Sequence, residues 1–485
     1  MNNTTVTRNL IWRFMERFGA QIVSFVVTIV LARLLDPDLY GTVALATVFI
    51  AFLQVFVDSG LGIALIQKKE ADEVDFSSVF FFNLGMCAVL FIGLFFAAPY
   101  IAGFFAQPEL TAIIRVMSLS LIISGVQNVQ QAYVSRNMLF KRFFQATLVG
   151  TVSSAIIGIA MAYAGCGVWS LIAQKLSNVT INTLVLWIVV KWRPRLAFSF
   201  RRLKGLLSYG WKLLVSSLID TVFRDIQQLI IGKLYTTEDL AYYNKGDQFP
   251  SLVIANVNTS IDSVLLPTMS QVQDDKTRIK TMVRRAIKTS TYIMAPLMMG
   301  MAFTSDSIIS LLLTDKWLPC VPFLCVFCIT YMFYPIHTAN LNAIKALGRS
   351  DLFLKLEIWK KVVGLVLLLA TMWFGPYAIC LSGLLMSVIS QIVNSFPNRK
   401  LLNYSIFEQW KDIAPGICLA VGMGVAVWGI GKLWAIPVIL KLLIQVIIGA
   451  LIYIGGSVLF KIDSFYYVLN TAKQLLKKRA DKNEE

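Results

Sequence analysis

Ionisable and amide side chains fall inside long apolar stretches of this sequence, and they do so at helical spacing. Arg13, Arg17, Gln21, Ser24 and Thr28 follow one another at intervals of four, four, three and four, which places them on one stripe of a helix. Ser217, Asp220, Arg224 and Gln228 repeat the pattern with Asp225 alongside, and Asn244, Gln248, Ser251, Asn258 and Asp262 form a third stripe beside Lys245 and Asp247. Gln54 and Asp58 add polar groups to another stretch, as do Arg115 with Ser124, Gln127, Asn128 and Gln131, Lys175 with Asn178 and Asn182, and Tyr334 with His337 and Asn342. A charge at the centre of a bilayer costs roughly 2.5–3.5 kcal/mol even on translocon scales. Side chains of this kind therefore line a hydrated path or neutralise one another. The chemistry they suit is the binding and passage of a polar solute.

Competing roles exist for each class. Amides and hydroxyls in membrane helices commonly serve as interhelical hydrogen bonds. Asp220 and Arg224 are one helical turn apart and can neutralise each other, while Arg13 and Lys245 lie near the ends of their stretches and can reach the interface. Arg17 lies deeper, with Glu16 on a different face, and is the first candidate. Cys320, Cys325 and Cys328 have the C-x4-C-x2-C spacing of some iron–sulfur proteins, but in WLPCVPFLCVFCITYMF they lie in an apolar span with no obvious fourth ligand. They read as small buried residues. His337 is the only histidine, which excludes a His-rich metal centre. Asp274 and Asp275 fall in a charged loop and read as solvated. No metal or cofactor is expected, and the identity of a coupling ion, proton or sodium, stays open.

Such polar stripes need apolar helices to carry them, and the chain supplies these from end to end. It is 57% hydrophobic, with a mean hydropathy of +0.69. A span takes about 20 mostly apolar residues to cross roughly 30 Å of hydrocarbon, and about fourteen such stretches occur. Their centres lie near Val26, Val48, Leu90, Leu121, Ile157, Leu184, Val222, Ala255, Met294, Phe327, Leu367, Leu385, Gly424 and Ile447. Basic residues fill alternate gaps: Lys68 and Lys69, then Arg136, Lys141 and Arg142, then the cluster from Lys191 to Lys204, then Lys276 to Lys288, Lys345 to Lys355, and Arg399 to Lys411. The intervening gaps are nearly free of Lys and Arg, so the basic gaps and both termini are expected in the cytoplasm. The net charge of +17 then reflects topology and contact with anionic membrane lipids, with no nucleic-acid partner. Arg13, Glu16 and Arg17 stand where a signal peptide is apolar, so the first span is expected to stay uncleaved. The seven scattered cysteines do not suggest a disulfide framework.

The chain also matches itself. Asp58-Ser59-x-Leu61 corresponds to Asp262-Ser263-x-Leu265, RNMLF at 136–140 to RSDLF at 349–353, and GCGVWSL at 165–171 to GPYAICL at 375–381, at nearly one offset. Duplicated halves are common in transporters. The expectation is an all-α polytopic membrane protein of about fourteen transmembrane helices in two pseudo-repeated six-helix lobes plus two C-terminal helices. The divisions are residues 1–198, 199–400 and 401–485.

Several long segments resemble one family. They are ARLLDPDLYG at 32–41, DSGLGIALIQKKEADEVDFSSVFFFN at 58–83, GCGVWSL at 165–171, RPRLAFSFRRLKGLLSYGWKLL at 193–214, LIIGKLYTTEDLAYYNKGDQFPSL at 229–252, LLPTMSQVQDD at 265–275 and ALGRSDLFLKLEIWKK at 346–361. Together they resemble the Wzx-type, colanic-acid-like polysaccharide flippases of the multidrug/oligosaccharidyl-lipid/polysaccharide exporter superfamily. The resemblance implies a bacterial inner-membrane protein that is not an enzyme and that moves undecaprenyl-pyrophosphate-linked oligosaccharides to the periplasmic leaflet by alternating access, for capsule, exopolysaccharide or O-antigen synthesis. It also implies a polysaccharide polymerase and a chain-length regulator as partners. Arg17, Arg115, Lys175, Arg224 and Lys245 become candidate partners of the diphosphate, which suits the planar fork of Arg. Arg13, Gln21, Asp58, Asp220, Gln248, Asp262 and His337 complete the candidate cavity. A cation-coupled multidrug exporter, a lipid II flippase of the same superfamily and a membrane glycan polymerase are the alternatives.

Overall fold

Apolar runs of this length satisfy their backbone internally only as helices, and every long element of the computed structural model is one. The structure describes residues 3–481 apart from Ser59, Lys69, Trp434 and Ala435, with backbone alone at 3–11, 13–18, 209, 259–260, 433, 472 and 475–481. In order the helices are α1 (Asn3–Leu34), α2 (Pro37–Asp58), α3 (Leu61–Gln67), α4 (Glu73–Phe105), α5 (Leu110–Arg136), α6 (Phe140–Tyr163), α7 (Val168–Val189), α8 (Phe200–Leu234) and α9 (Thr237–Ser270). There follow α10 (Lys276–Phe303), α11 (Ser305–Leu313), a 3-10 segment (Asp315–Cys320), α12 (Val321–Met332), α13 (Tyr334–Ala346), α14 (Ser350–Thr371), α15 (Pro376–Leu402), α16 (Ile406–Leu433), α17 (Val438–Leu459) and α18 (Asp463–Asp481).

Among the described residues ten helical segments are long and apolar enough to cross a bilayer, and up to twelve if two bent pairs each count as one span. The bent pairs are the two parts of α8, which meet at 48°, and α10 with α11, at 69°. Each of the fourteen sequence centres falls in a helix, but α1 and α14 do not meet the criterion. The apolar part of α1 is only Gly19–Leu34, and α14 carries Lys355, Glu357, Lys360 and Lys361.

The chain forms two compact units, Met1–Ala241 and Tyr242–Glu485. This division follows packing, whereas the sequence division at 198/199 follows the repeat. The two differ because α8 packs on α2, α3 and α4 and so belongs to unit 1. Gly60 shows why that contact is close. It closes the turn between α2 and α3 with φ +67°, and a Cβ there would stand 3.0 Å from the Gly210 carbonyl oxygen of α8. In the same unit α6 lies tightly on α7, where a Cβ on Gly158 would meet Gln174 at 2.6 Å. Small residues allow this close packing where no hydrophobic effect drives helices together.

The basic end of unit 1 is held by charge and aromatic packing. Asp72 caps α4 and forms a capping box with Asp75. Arg202 of α8 pairs with Asp72, Arg195 with Glu73, and Lys68 with the fully buried Asp75. The hydrogen bond from Arg202 and the Asp75 backbone N–H hold the Asp72 carboxyl low, at about 2. Arg136 donates to the carbonyls of Leu65 and Lys68, each at 2.6 Å, at the end of α3. Beneath lie Phe76, Phe80, Leu186 and Trp192, with Tyr133 stacked on Trp192 at 6.0 Å.

In unit 2, α16 is tied to its neighbours by buried polar groups. Asn340 Nδ2 donates to Gln409 Oε1 at 2.9 Å, and Asn398 Nδ2 donates to Asn340 Oδ1 at 2.7 Å. Arg284 grips Asp412 through two bonds of 2.6 and 2.7 Å. Asp275 is solvent-exposed, as expected, and also caps α10 by accepting from the Arg278 N–H at 2.9 Å.

Candidate functional site

Four polar helix faces of unit 1 enclose a cavity of about 560 Å³. Ser24 and Thr28 of α1, Gln54 of α2, Ser120 and Ser124 of α5, and Lys175 of α7 face it. Among the described residues lining it, Lys175 is the one cation. Its Nζ donates to Thr47 Oγ1 at 2.7 Å, and the ammonium remains accessible from the cavity. A single hydroxyl leaves an ammonium with two further protons to donate. An anion in a cavity otherwise lined with neutral hydroxyls and amides is drawn to that point.

The remaining candidates in unit 1 separate into cavity and framework. Gln21 is half-buried on α1, one turn before Ser24. The side chains of Arg13 and Arg17 lie outside the described residues. Asp58 accepts from Gln54 Nε2 at 3.3 Å and from Asn128 Nδ2 at 3.2 Å, which joins α2 to α5. Arg115 is turned onto α4, with Nε donating to the Phe95 carbonyl at 3.2 Å and its guanidinium 4.4 Å from the centre of the Phe95 ring. Arg224, expected one turn from a partner at Asp220, meets its neighbour Asp225 through two bonds of 3.2 Å, and Gln228 joins them at 3.4 Å. Asp220 is exposed on the same helix. Several amides of the stripes are interhelical bonds: Gln127 to Asn182 at 2.9 Å and Asn178 to Ser154 at 3.1 Å.

In unit 2, Lys245 is buried instead of reaching the interface. Its Nζ lies 3.1 Å from Gln248 Oε1 and 5.5 Å from the centre of the Trp317 ring. Asp262 accepts from Asn342 Nδ2 at 2.7 Å. His337 is buried with Nε2 3.3 Å from Ser387 Oγ, and Tyr331 donates to Asp247. Asp247, Tyr331 and Ser387 were not among the candidates, although Asp247 stood beside the α9 stripe in sequence. The signal that could have found Asp247 is a carboxylate placed inside a span. Cys320 and Cys328 are buried, Cys325 Sγ lies 3.4 Å from the Ala302 carbonyl oxygen, and among the described residues no three His, Cys, Asp or Glu side chains gather as for a metal ion.

Unit 2 also holds an apolar cavity of about 450 Å³ between α10, α11, α16 and α17. Its rim includes Val446 and Ile454, which are 59% and 52% exposed, so it opens on the outer face of α17.

The sequence model for polysaccharide biosynthesis proteins matches residues 30–322. This chain belongs to that family. The matched region holds Asp58, Arg115, Lys175, Asp220, Arg224, Lys245, Gln248 and Asp262, and excludes His337. Similar family proteins include the succinoglycan biosynthesis transport protein ExoT of Rhizobium meliloti (strain 1021), 26% identical over 65% of this chain and 64% of that protein, just under two thirds of its length. The teichuronic acid biosynthesis protein TuaB of Bacillus subtilis (strain 168) is 25% identical over 83% of this chain and 85% of its own. The lipopolysaccharide biosynthesis protein WzxC of Escherichia coli (strain K12) is 20% identical over 79% and 78%. Among solved structures, the lipid II flippase MurJ in an inward closed conformation superimposes with a TM-score of 0.75 over 94% of this chain and 99% of that one, at 16% identity. An inward-facing multidrug MATE transporter gives 0.59 over 79% and 94%. The fold is thus that of a multi-pass helical membrane protein.

Proposed function

We propose that this protein moves lipid-linked oligosaccharides, carried on undecaprenyl pyrophosphate, from the cytoplasmic to the periplasmic leaflet of a bacterial inner membrane for surface polysaccharide synthesis. The observation that carries this reading is the hydroxyl- and amide-lined cavity of unit 1 with Lys175 as its cation. A headgroup of diphosphate and sugar needs a hydrated route with a positive point, because hydrocarbon rejects it. Lys175 takes the diphosphate, and Ser24, Thr28, Gln54, Ser120 and Ser124 meet hydroxyl groups. The apolar cavity beside α17 suits a hydrocarbon tail that never leaves lipid. Names of the relatives, from succinoglycan to teichuronic acid, support a glycan cargo over a drug. A polymerase and a chain-length regulator would take the product onward.

Fourteen spans, with both termini cytoplasmic, complete the proposal. α1 joins the twelve candidate spans through its apolar part, Gly19–Leu34, and α14 joins them because two of its charges pair away from lipid: Lys360 Nζ lies 2.6 Å from Glu357 Oε1, with side chains only 12% and 29% exposed. Alternating access then exposes the cavity to one side at a time. A reporter placed after Arg202 or Arg285 is expected to read cytoplasmic, and one after Gln107 or Lys432 periplasmic. Reversal at either pair would overturn the topology. For function, deletion of the gene in its host is expected to halt surface polysaccharide and leave lipid-linked oligosaccharide inaccessible from the periplasm. Lys175→Gln, present in the membrane at normal level, should fail to restore it. Full restoration by Lys175→Gln would remove the cavity from the transport path.

A further inference from the structure

Unit 2 holds two proton-accepting groups inside its spans, Asp247 half-buried and His337 buried, that the transport reading leaves unused. Asp247 of α9 receives a hydrogen bond from the Tyr331 hydroxyl of α12 and, among the described residues, has no ion-pair partner. The Tyr331 ring meets Tyr334 of α13 edge-on at 5.2 Å, and Tyr334 meets His337 edge-on at 5.8 Å. On the far side, His337 Nε2 lies 3.3 Å from Ser387 Oγ, and Ser387 Oγ donates to the Thr330 carbonyl at 3.3 Å. A serine hydroxyl has one proton. Since Thr330 receives it, Ser387 can only accept from His337, so Nε2 carries the ring hydrogen and Nδ1 is a bare lone pair. That Nδ1 is buried without a hydrogen-bond partner among the described residues, in a residue only 9% exposed.

The groups around these two are few. Tyr331, Tyr334 and Cys380 of α12, α13 and α15 face Asp247, and Lys245 lies two residues away on its own helix. Lys360 of α14 faces His337, with its partner Glu357 toward Tyr334. A hard metal cation gathers about six oxygens, whereas Asp247 has a single phenol on it and no second carboxylate. A proton needs one lone pair, and each station offers one.

We propose that Asp247 and His337 are two stations of a proton-binding site, filled and emptied as the transporter cycles. The site rests on the transport reading and names the ion class that would drive it. At the first station the carboxylate gains a proton and becomes a carboxylic acid. At the second, Nδ1 gains one and the ring becomes imidazolium. No other bond forms or breaks. Each proton comes from and returns to water.

Infrared difference spectroscopy of the purified full-length protein tests this without any transport measurement. Acidification is expected to raise the carbonyl stretch of a protonated carboxyl group, and that component should be lost in Asp247→Asn. Tyr331→Phe should shift its frequency by removing the donor, and imidazole ring bands that change on the same acidification should be lost in His337→Gln. A carbonyl component that persists in Asp247→Asn, or imidazole ring bands that persist in His337→Gln, overturns the proposal. So does loss of the component when sodium replaces potassium at constant pH, which would make the ligand a metal cation. If Asp247→Asn does not accumulate, an unshifted frequency in Tyr331→Phe overturns it alone. Failure of the wild type to move lipid-linked oligosaccharide would instead defeat the transport reading and leave these spectra unchanged.

Discussion

Units 1 and 2 each make an Asn-to-Asp hydrogen bond whose Asp is paired by the sequence repeat, yet surround it differently. In unit 1 Asn128 donates to Asp58 at 3.2 Å, and in unit 2 Asn342 donates to Asp262 at 2.7 Å. The two Asp residues are paired by the repeat, and each Asn lies about two helical turns before the matched Arg136 or Arg349. Around the bond the volumes diverge. At the offset that pairs Arg136 with Arg349, Ser120 and Ser124 correspond to Phe333 and His337. At the offset that pairs GCGVWSL with GPYAICL, Lys175 corresponds to Leu385. Small hydroxyl side chains leave unit 1 its cavity with a cation at the wall. Rings fill the corresponding part of unit 2, where His337 is buried and Asp247 half-buried among them. A shared polar contact can therefore hold two helices in register while side-chain size and charge decide what each half can bind.

The largest expected effect breaks this contrast at its cation. Lys175→Leu places in unit 1 the residue type found at the matched position of unit 2, and should lower oligosaccharide translocation in proteoliposomes about 10- to 100-fold, the equivalent of losing one charged contact of about 1.5–3 kcal/mol. Leu385→Lys should not restore it. Equal rates for Lys175→Leu and the wild type would show that the cavity's charge is idle.

A smaller effect sharpens the comparison at the shared bond. Asp262→Ala leaves the Asn342 amide, 2% exposed, without its acceptor, a loss of about 1–3 kcal/mol. Asp58→Ala, whose donor Asn128 is only half-buried, should cost about half as much or less. Thermal unfolding in detergent should rank Asp262→Ala below Asp58→Ala, and the reverse order would deny the difference in burial.

The smallest effect concerns Asp72. Its carboxyl is held at about 2 in the folded protein, against roughly 3.9 for an unperturbed Asp. The stabilisation is therefore complete above about pH 4 and fades as pH falls through about 2. The pair with Arg202 is exposed, and Asp72→Asn should cost less than about 1 kcal/mol at neutral pH. The difference between wild type and variant should vanish toward pH 2. A difference that grows on acidification would have the wrong sign.

Much of the framework was legible in one dimension because hydrocarbon imposes a strict rule on the backbone. The centre of every apolar run lies in a helix, and the motif from Asp58 to Asn83 forms a connected turn, cap and helix. The bends were not legible. α8 and the α10–α11 pair change direction by 48° and 69°, angles that hydropathy does not encode. Site residues were read less well, since spacing tells which residues share a stripe but not what opposes the stripe. Arg115 found the Phe95 carbonyl and ring on α4, Arg224 found Asp225, and Lys245 found Gln248 and Trp317.

By itself the sequence determined that the chain is helical, membrane-spanning, rich in intramembrane polar groups and related to polysaccharide transport proteins, because periodicity, hydropathy and long motifs are local properties. Tertiary structure alone decided that Lys175 faces a cavity while Arg115 and Lys245 are engaged elsewhere, and that Asp247 lies beneath a phenol. Those outcomes depend on which faces of separate helices meet, and on whether serine or an aromatic ring stands opposite. Neither is written in the spacing of any one helix.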